Sequence, residues 1–185
     1  GEDWRGVPLT LTDESDTDFT YTLPGKLDCR SCHETPGAVP VLGIARWQVP
    51  DALLGTDAFA TPPPDASLDA FARGPEEAAA LAYAVANCAF CHTGRHTGPN
   101  SAFSLEPPAF VADTINRPTD SSASGIGTRI VPGDVEGSAL YEAVILTRKP
   151  GYHGQFKPMP PAGIDRVDPQ AEAVLRRYIT WLGTK

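Results

Sequence analysis

Two Cys-x-x-Cys-His segments constrain this chain more than any other feature of its sequence. The first is Cys29-Arg30-Ser31-Cys32-His33 and the second is Cys88-Ala89-Phe90-Cys91-His92. Each has the spacing at which two thiols attach to the vinyl groups of a porphyrin while the following histidine reaches the iron. The chain has four cysteines, and the two segments use all of them. The pattern predicts two covalently bound c-type haems, with His33 and His92 as iron ligands.

Other uses of paired cysteines fit this sequence poorly. A zinc ribbon places its pairs roughly 15 to 20 residues apart, whereas residues 33–87 separate Cys32 from Cys88. A thioredoxin-like dithiol needs a βαβ context, and a histidine after both pairs has no role in it. Disulfide bonding suits a two-residue spacing inside a predicted helix badly. Haem attachment is therefore the interpretation that explains both segments.

Charge and hydropathy limit the partners of the chain. The formal net charge is −8, from 15 basic and 23 acidic side chains, and haem propionates would make it more negative. This charge argues against nucleic acid or an anionic membrane surface as a partner, and it is compatible with a redox protein that has a basic docking surface. No apolar run reaches the roughly 18 residues that a membrane span needs.

The predicted haems indicate where the protein is located, and the length of the chain indicates how many domains it has. Covalent haem attachment normally takes place outside the cytoplasmic membrane, so we expect a periplasmic or extracellular protein. The sequence begins at Gly1 without a signal segment, which we interpret as a mature or trimmed chain. A length of 185 residues suggests one domain, or a domain with a substantial extension. The oligomeric state is not predicted.

The first 74 residues read as an extension with little helix. Residues 1–28 are polar and contain short strand-like pieces such as residues 19–22. The acidic cluster within residues 13–18 lacks the glycine and distal glutamate of a calcium loop, so we interpret it as a solvated face. Residues 34–74 are rich in proline and are expected to wrap irregularly around the first haem.

Helices are predicted in the remainder of the chain. The first begins at Pro75, with glutamates in its first turn, and is expected to continue into Cys91. The second is expected to run from an N-cap at Asp134 to about Leu146. The third begins at Pro169 and has apolar residues at helical spacing. Long loops connect these helices, so the predicted fold class is mainly α with long irregular loops.

The order of these features resembles a known family. A helix ending in the second motif, the turn Val131-Pro132-Gly133-Asp134, the Met159-Pro160-Pro161 segment and an apolar closing helix are together similar to bacterial class I cytochrome c domains. The whole chain resembles diheme c-type cytochromes with an extra Cys-x-x-Cys-His in an N-terminal extension, often followed by Leu-Gly, as at Leu42-Gly43. The resemblance implies an extension over residues 1–74 that carries the first haem. It also implies a cytochrome c-like helical domain over residues 75–185 that carries the second.

The resemblance also implies that Met159 is the sixth ligand of the second iron. In such domains the methionine before the prolines binds the metal, and Met159 is the only methionine in the chain. A thioether is a weaker donor to ferric iron than a second histidine, so it favours the reduced state and raises the potential.

The sixth ligand of the first haem is left open. His153 lies in a loop with neighbouring glycines, which ease the approach of backbone to a porphyrin. It could reach the first haem, or it could displace Met159 on the second. His96 follows His92 by four residues, so it lies on the same side of the second haem and could reach only the first. An empty sixth position is the third possibility. Arg129 is a candidate partner for a haem propionate, with a solvent-facing side chain as the alternative.

These observations predict a diheme protein that passes single electrons between redox partners. Iron with six ligands has no open position for a substrate, and no acid–base cluster is evident beside either motif. We therefore expect a carrier rather than a catalyst. One alternative is a diheme peroxidase-type enzyme with an open site on the first haem. Another is a subunit of a multi-haem assembly or filament, in which residues 1–28 dock on a neighbour.

Overall fold

The computed structural model describes residues 6–33, 49, 67–89, 91–94, 103–119, 127–154, 156–161 and 163–185. The α-helices of these segments are α1 (Lys26–His33), α2 (Pro75–Asn87), α3 (Phe110–Thr114), α4 (Ala139–Val144) and α5 (Pro169–Leu182). The strands are β1 (Val7–Thr12), β2 (Asp18–Leu23) and β3 (Gly163–Ile164), and short 3-10 helices lie at Leu68–Phe71 and Leu146–Arg148. Among the helices of the described segments, none combines the length and the apolar character needed to cross a bilayer.

β1 and β2 form an antiparallel hairpin. The strands pair along their whole length, as expected for segments in which apolar side chains alternate with threonines. Asp13 organises the connecting turn, because its Oδ1 accepts hydrogen bonds from the amides of Ser15 at 2.9 Å and Thr17 at 3.1 Å. One member of the predicted solvated acidic face is therefore also a structural residue.

The hairpin is joined to the C-terminal part of the chain. β3 pairs with β2, and Gly163 lies opposite Thr22. The guanidinium of Arg166 lies 4.2 Å over the Phe19 ring and donates a hydrogen bond of 2.5 Å to Asp13 Oδ2. The three-stranded sheet thus unites residues on both sides of the predicted boundary between residues 74 and 75. The division into two domains stays a prediction.

The prediction of a mainly α, cytochrome c-like fold is wrong. The described residues combine helices with an antiparallel sheet in the order β1-β2-β3, and that prediction included no sheet. Two of the helices, α3 and α4, have five and six residues. The physical reason is the period-two alternation of apolar and polar residues in β1 and β2, which favours extended pairing over helix.

α2 and α5 pack against each other and form the centre of the core. The apolar positions predicted for the closing helix are all buried, which confirms its inward face: Val174, Leu175, Tyr178, Ile179 and Leu182. α2 contributes Ala80, Leu81, Ala84 and Val85. Phe110, Ile130, Tyr141 and Ile145 complete this core from the segments between the two helices.

Both long helices begin where the sequence predicted. α2 begins at Pro75 and α5 at Pro169, after an N-cap at Asp168 whose carboxylate accepts a backbone hydrogen bond. α4 begins later than predicted, with Ser138 rather than Asp134 as its N-cap. The carboxylate of Asp134 instead accepts a backbone hydrogen bond within the preceding turn. The side chain therefore stabilises the turn, and the helix starts after it.

A buried carboxylate ties the beginning of α2 to α5. The side chain of Glu77 is fully buried. It accepts hydrogen bonds of 3.0 Å from the Arg73 amide, from Arg73 Nε and from the Tyr178 hydroxyl. Burial by itself raises the pKa of Glu77, but these hydrogen bonds outweigh it and hold the pKa below its ordinary value. Glu77 therefore remains ionised and fixes the helix whose far end leads into the second motif.

The turn at residues 131–134 lies against the end of α5. Gly133 has a φ of +82°, and its amide donates to the Ile179 carbonyl at 2.9 Å. A Cβ atom at Gly183 would stand 2.6 Å from Gly133 Cα. Only glycine at position 183 permits this approach, since no side-chain atom fits between the two backbones.

Candidate functional site

The second motif forms a tight turn directly after α2. The helix ends one residue before Cys88, so it does not continue into Cys91 as predicted. The Ala89 amide bonds the carbonyl of Ala84, five residues earlier, at 2.9 Å, and this ends the regular hydrogen-bond ladder. The Cys88 carbonyl then accepts hydrogen bonds from the amides of Cys91 at 3.1 Å and His92 at 2.9 Å. These bonds place both cysteines and the histidine on one turn of backbone.

The imidazole of His92 is packed against Phe103. The two ring centroids lie 4.5 Å apart at an interplanar angle of 37°, and the His92 Nδ1 atom is buried. The His92 carbonyl accepts a hydrogen bond of 2.8 Å from the Leu105 amide. Packing and backbone pairing together restrict the orientation of the imidazole.

Arg129 is distant from His92 in the sequence but lies next to the Phe103 ring in the structure. Its guanidinium carbon is 4.1 Å from the Phe103 centroid, and Nη1 donates to the Asp113 carbonyl at 2.7 Å. The structure thus brings Arg129 close to His92 through the intervening ring. Its pairing with a haem propionate stays a prediction.

Cys88 is half-buried at the start of the turn. Burial raises the pKa of its thiol to about 11. In the described part of the chain, no three Cys, His, Asp or Glu side chains are grouped to hold a metal ion. Two cysteines and a histidine on one turn of backbone are the residues that covalent haem attachment requires, so the turn fits that group.

The first motif lies on α1. The carboxylate Oδ2 of Asp28 accepts a hydrogen bond of 2.9 Å from the Gly25 amide, and the Gly25 carbonyl accepts one of 3.0 Å from the Cys29 amide. The Asp28 contact is the half of a capping box that an N3 side chain supplies, and the Cys29 amide makes the first backbone bond of the helix. Cys29 is exposed. The side chains of Cys32 and His33 lie outside what the structure describes, so their predicted roles stay predictions.

Met159 is held to α4 and the residues after it by both of its backbone polar groups. Its amide donates to the Ala143 carbonyl at 2.9 Å. Its carbonyl accepts a hydrogen bond of 2.7 Å from Arg148 Nη1, while Nη2 of the same guanidinium donates to the Pro160 carbonyl at 2.8 Å. The Met159 residue is half-buried. Its role as an iron ligand stays a prediction, but its backbone position is well defined.

Tyr83 connects the last turns of α2 with the N-cap of α5. Its hydroxyl donates to Asp168 Oδ2 at 2.7 Å. Burial, followed by this hydrogen bond, raises the pKa of Tyr83. The contact holds the end of α2, from which the second motif follows, against the start of α5.

The residues predicted as alternatives for the sixth ligand of the first iron are His153 and His96. His153 is exposed on a loop fixed by Tyr152, whose hydroxyl donates to Glu142 Oε1 at 2.7 Å and accepts from the Phe156 amide at 3.0 Å. His96 lies outside the described residues. The choice between His153, His96 and an empty position stays open.

Sequence reasoning missed two residues of this region. Arg148 had a usable signal, because a basic side chain in the last turn of a helix often donates to nearby carbonyls. Phe103 had none, since it lies in a long loop without periodicity and its contact with His92 depends on how the chain returns.

No family model matches this chain, and neither a curated protein nor a solved structure is similar to it at a significant level.

Proposed function

We propose that the protein is an exported diheme electron carrier of the c-type that passes single electrons between redox proteins. The observation that supports this best is the turn after α2, in which the Cys88 carbonyl accepts hydrogen bonds from the amides of Cys91 and His92 and so brings the three residues together. Haem iron, when bound, supplies one-electron redox chemistry. Cys88 and Cys91 would hold the second haem covalently, and His92 would bind its iron. Cys29, Cys32 and His33 would do the same for the first.

The chain's own side chains would set the environment of the second haem. Phe103 limits rotation of the His92 ring. Arg129 places a positive charge behind that ring, and such a charge stabilises the more reduced state whether or not it contacts a propionate. Met159, held by its backbone, would offer a soft thioether to the iron of the second haem. Together these groups favour a raised potential for the second haem.

A reductive titration followed by visible absorption and electron paramagnetic resonance tests the carrier function. We expect two one-electron steps and low-spin iron at both sites. Met159→Ala should leave one iron partly high-spin and lower its potential, while His153→Ala serves as the matched test of the first haem. A large high-spin fraction in the wild type, together with turnover of peroxide by the pre-reduced protein, would contradict a carrier and favour the peroxidase-type enzyme.

The net charge of −8 supports a basic redox partner. Attraction between an acidic and a basic protein speeds their encounter and is screened by salt. The rate of reduction by a basic small electron-transfer protein should therefore fall as ionic strength rises. A rate that is insensitive to salt would argue against electrostatic docking.

One observation favours a second candidate function, a subunit of a multi-haem assembly. β1 is an edge strand of the sheet, and all six of its residues are exposed. Val7, Leu9 and Leu11 are each 41% exposed and alternate onto one face, which Leu23 extends across the pairing at 51% exposed. Exposed apolar edge strands readily pair with another chain.

Sedimentation velocity over a range of micromolar concentrations tests the assembly. If the hairpin docks on a neighbour, the wild-type protein should sediment faster as its concentration rises, and Leu9→Lys should remain a monomer. Thr10→Lys, on the opposite face of the same strand, is the matched control. A wild-type protein that stays monomeric throughout would rule out self-assembly through this face.

A further inference from the structure

We propose that Arg148 is a positioning residue that holds Met159 in place as an iron ligand. The inference rests on the proposed function, in which Met159 binds the second haem. It concerns a residue that does not itself touch the metal and acts through the backbone of its neighbours.

The guanidinium of Arg148 contacts three backbone carbonyls. Nη1 donates to Met159 at 2.7 Å and to Val144 at 3.1 Å, and Nη2 donates to Pro160 at 2.8 Å. The first two contacts join the Met159 segment to α4 through one nitrogen, and the third fixes the residue that follows. A guanidinium presents its donors in a rigid planar fork, so these contacts set direction as well as distance. A lysine ammonium also has three N–H donors, but they spread from one nitrogen and do not reproduce the planar fork that reaches Met159 and Pro160 together.

The position of the Met159 sulfur depends on its backbone. A methionine side chain has three rotatable bonds and adapts to its surroundings, so it does not fix its own location. The Met159 amide is bonded to the Ala143 carbonyl, which also accepts a hydrogen bond of 2.8 Å from Thr147 Oγ1. Without Arg148, the hydrogen bond from the Met159 amide to this shared Ala143 carbonyl would be the one that still joins the Met159 backbone to α4. The segment could then rotate away from its present position.

Three variants test the inference: Arg148→Gln, Arg148→Lys and the control Arg117→Gln. Arg117 also donates from its guanidinium to a backbone carbonyl, that of Ala112, at 2.7 Å. The readouts are the long-wavelength charge-transfer band of ferric iron bound to a thioether, the midpoint potential of that haem, and the affinity for added imidazole, which displaces the sulfur.

Arg148→Gln should weaken the band, lower the potential and bind imidazole at least about tenfold more tightly. That factor corresponds to the loss of one charge-assisted hydrogen bond that favours the sulfur-bound state. Arg148→Lys keeps a single charged donor and should change the same properties in the same direction by a smaller factor. Arg117→Gln should match the wild type in all three readouts.

The outcomes separate the inference from the function on which it rests. If the wild type shows the band but Arg148→Gln leaves band, potential and imidazole affinity unchanged, the positioning role is overturned while the proposed function stands. If the wild type carries haem but shows no such band, Met159 is not a ligand and the positioning role fails with it. If Arg148→Gln does not fold, an imidazole affinity of Arg148→Lys equal to that of the wild type overturns the proposal.

Discussion

Replacing Glu77 by glutamine tests the clamp that holds α2, and with it the second motif, on α5. The carboxylate is fully buried and is surrounded by donors: the Arg73 amide and guanidinium, and the Tyr178 hydroxyl. Glutamine keeps the volume of the side chain but removes its charge. It also places an amide N–H₂ group where the carboxylate accepted hydrogen bonds, so at least one donor is left without an acceptor.

The expected loss of stability depends on whether each donor to Glu77 can form a hydrogen bond with water instead. Hydrogen bonds to charged groups contribute about 1.5–3 kcal/mol each, and breaking a fully buried ion pair costs about 3–5 kcal/mol. The Arg73 side chain is 54% exposed, so it can turn to water when its partner is neutralised, which lowers the cost of the lost ion pair. The Tyr178 hydroxyl and the Arg73 amide cannot. We therefore expect Glu77→Gln to lower the free energy of unfolding by about 2–3 kcal/mol.

Urea denaturation followed by far-ultraviolet circular dichroism measures this loss. Tyr178→Phe removes one donor and leaves the contacts with Arg73 in place, so it should cost about 1.5 kcal/mol, the lower end of the range for a charged acceptor. Glu76→Gln is the matched control at the neighbouring position; it removes a charge in the first turn of α2 and should cost less than about 1 kcal/mol. Equal losses in Glu77→Gln and Glu76→Gln would refute the clamp.

The stability difference between the wild type and Glu77→Gln should also depend on pH. Because the folded protein holds the pKa of Glu77 below its ordinary value of 4.5, the stabilisation from this group is complete above that value and is lost as pH falls through the folded pKa. The stability difference between wild type and Glu77→Gln should therefore shrink as the pH is lowered below about 4.5. A difference that stays constant into strong acid would contradict this assignment.

Two further predictions concern the turn beside α5 and the hairpin. Gly183→Ala would place a Cβ atom 2.6 Å from Gly133 Cα, and we expect urea denaturation to show a loss of about 1–3 kcal/mol; wild-type stability would contradict so close an approach. Asp13→Ala removes the acceptor of the Thr17 amide and a partner of Arg166. Hydrogen exchange should then speed up in the hairpin while global unfolding is unchanged, and unaltered protection of the hairpin amides would count against this role of Asp13.

The long helices could be predicted because their signals are local. Pro75 followed by glutamates, and Asp168 followed by Pro169, mark helix starts through neighbouring residues alone, and both starts are confirmed. The burial of the α5 apolar positions follows from their spacing and needs no knowledge of the partner surface.

The sheet and the start of α4 could not be predicted in the same way. β3 has two residues and forms because Gly163 meets Thr22, a pairing of segments far apart in the chain. Asp134 and Ser138 are both good N-cap residues. Ser138 occupies the N-cap without a side-chain capping hydrogen bond. Its hydroxyl instead donates to the Asp134 carbonyl and accepts from the Val131 amide, so contacts with the preceding turn set where the helix starts.

The sequence predicted the candidate haem-binding residues but not the residues that hold them in place. The identity and spacing of Cys88, Cys91 and His92 are read directly from the sequence. Phe103 packs against the His92 ring, and Arg148 holds the backbone of Met159; both contacts arise only when distant parts of the chain meet in the fold. Sequence reasoning therefore located the groups that would hold haem and missed the residues that would position them.

The intact mass of the denatured protein tests the central claim most directly. Thioether bonds survive unfolding and extraction with acidified organic solvent, so the account predicts the chain mass plus two haem groups. Replacing Cys88 and Cys91 together by alanine should remove one haem and leave the other. A mass equal to that of the bare chain, or a protein whose cysteines hold zinc, would contradict the account.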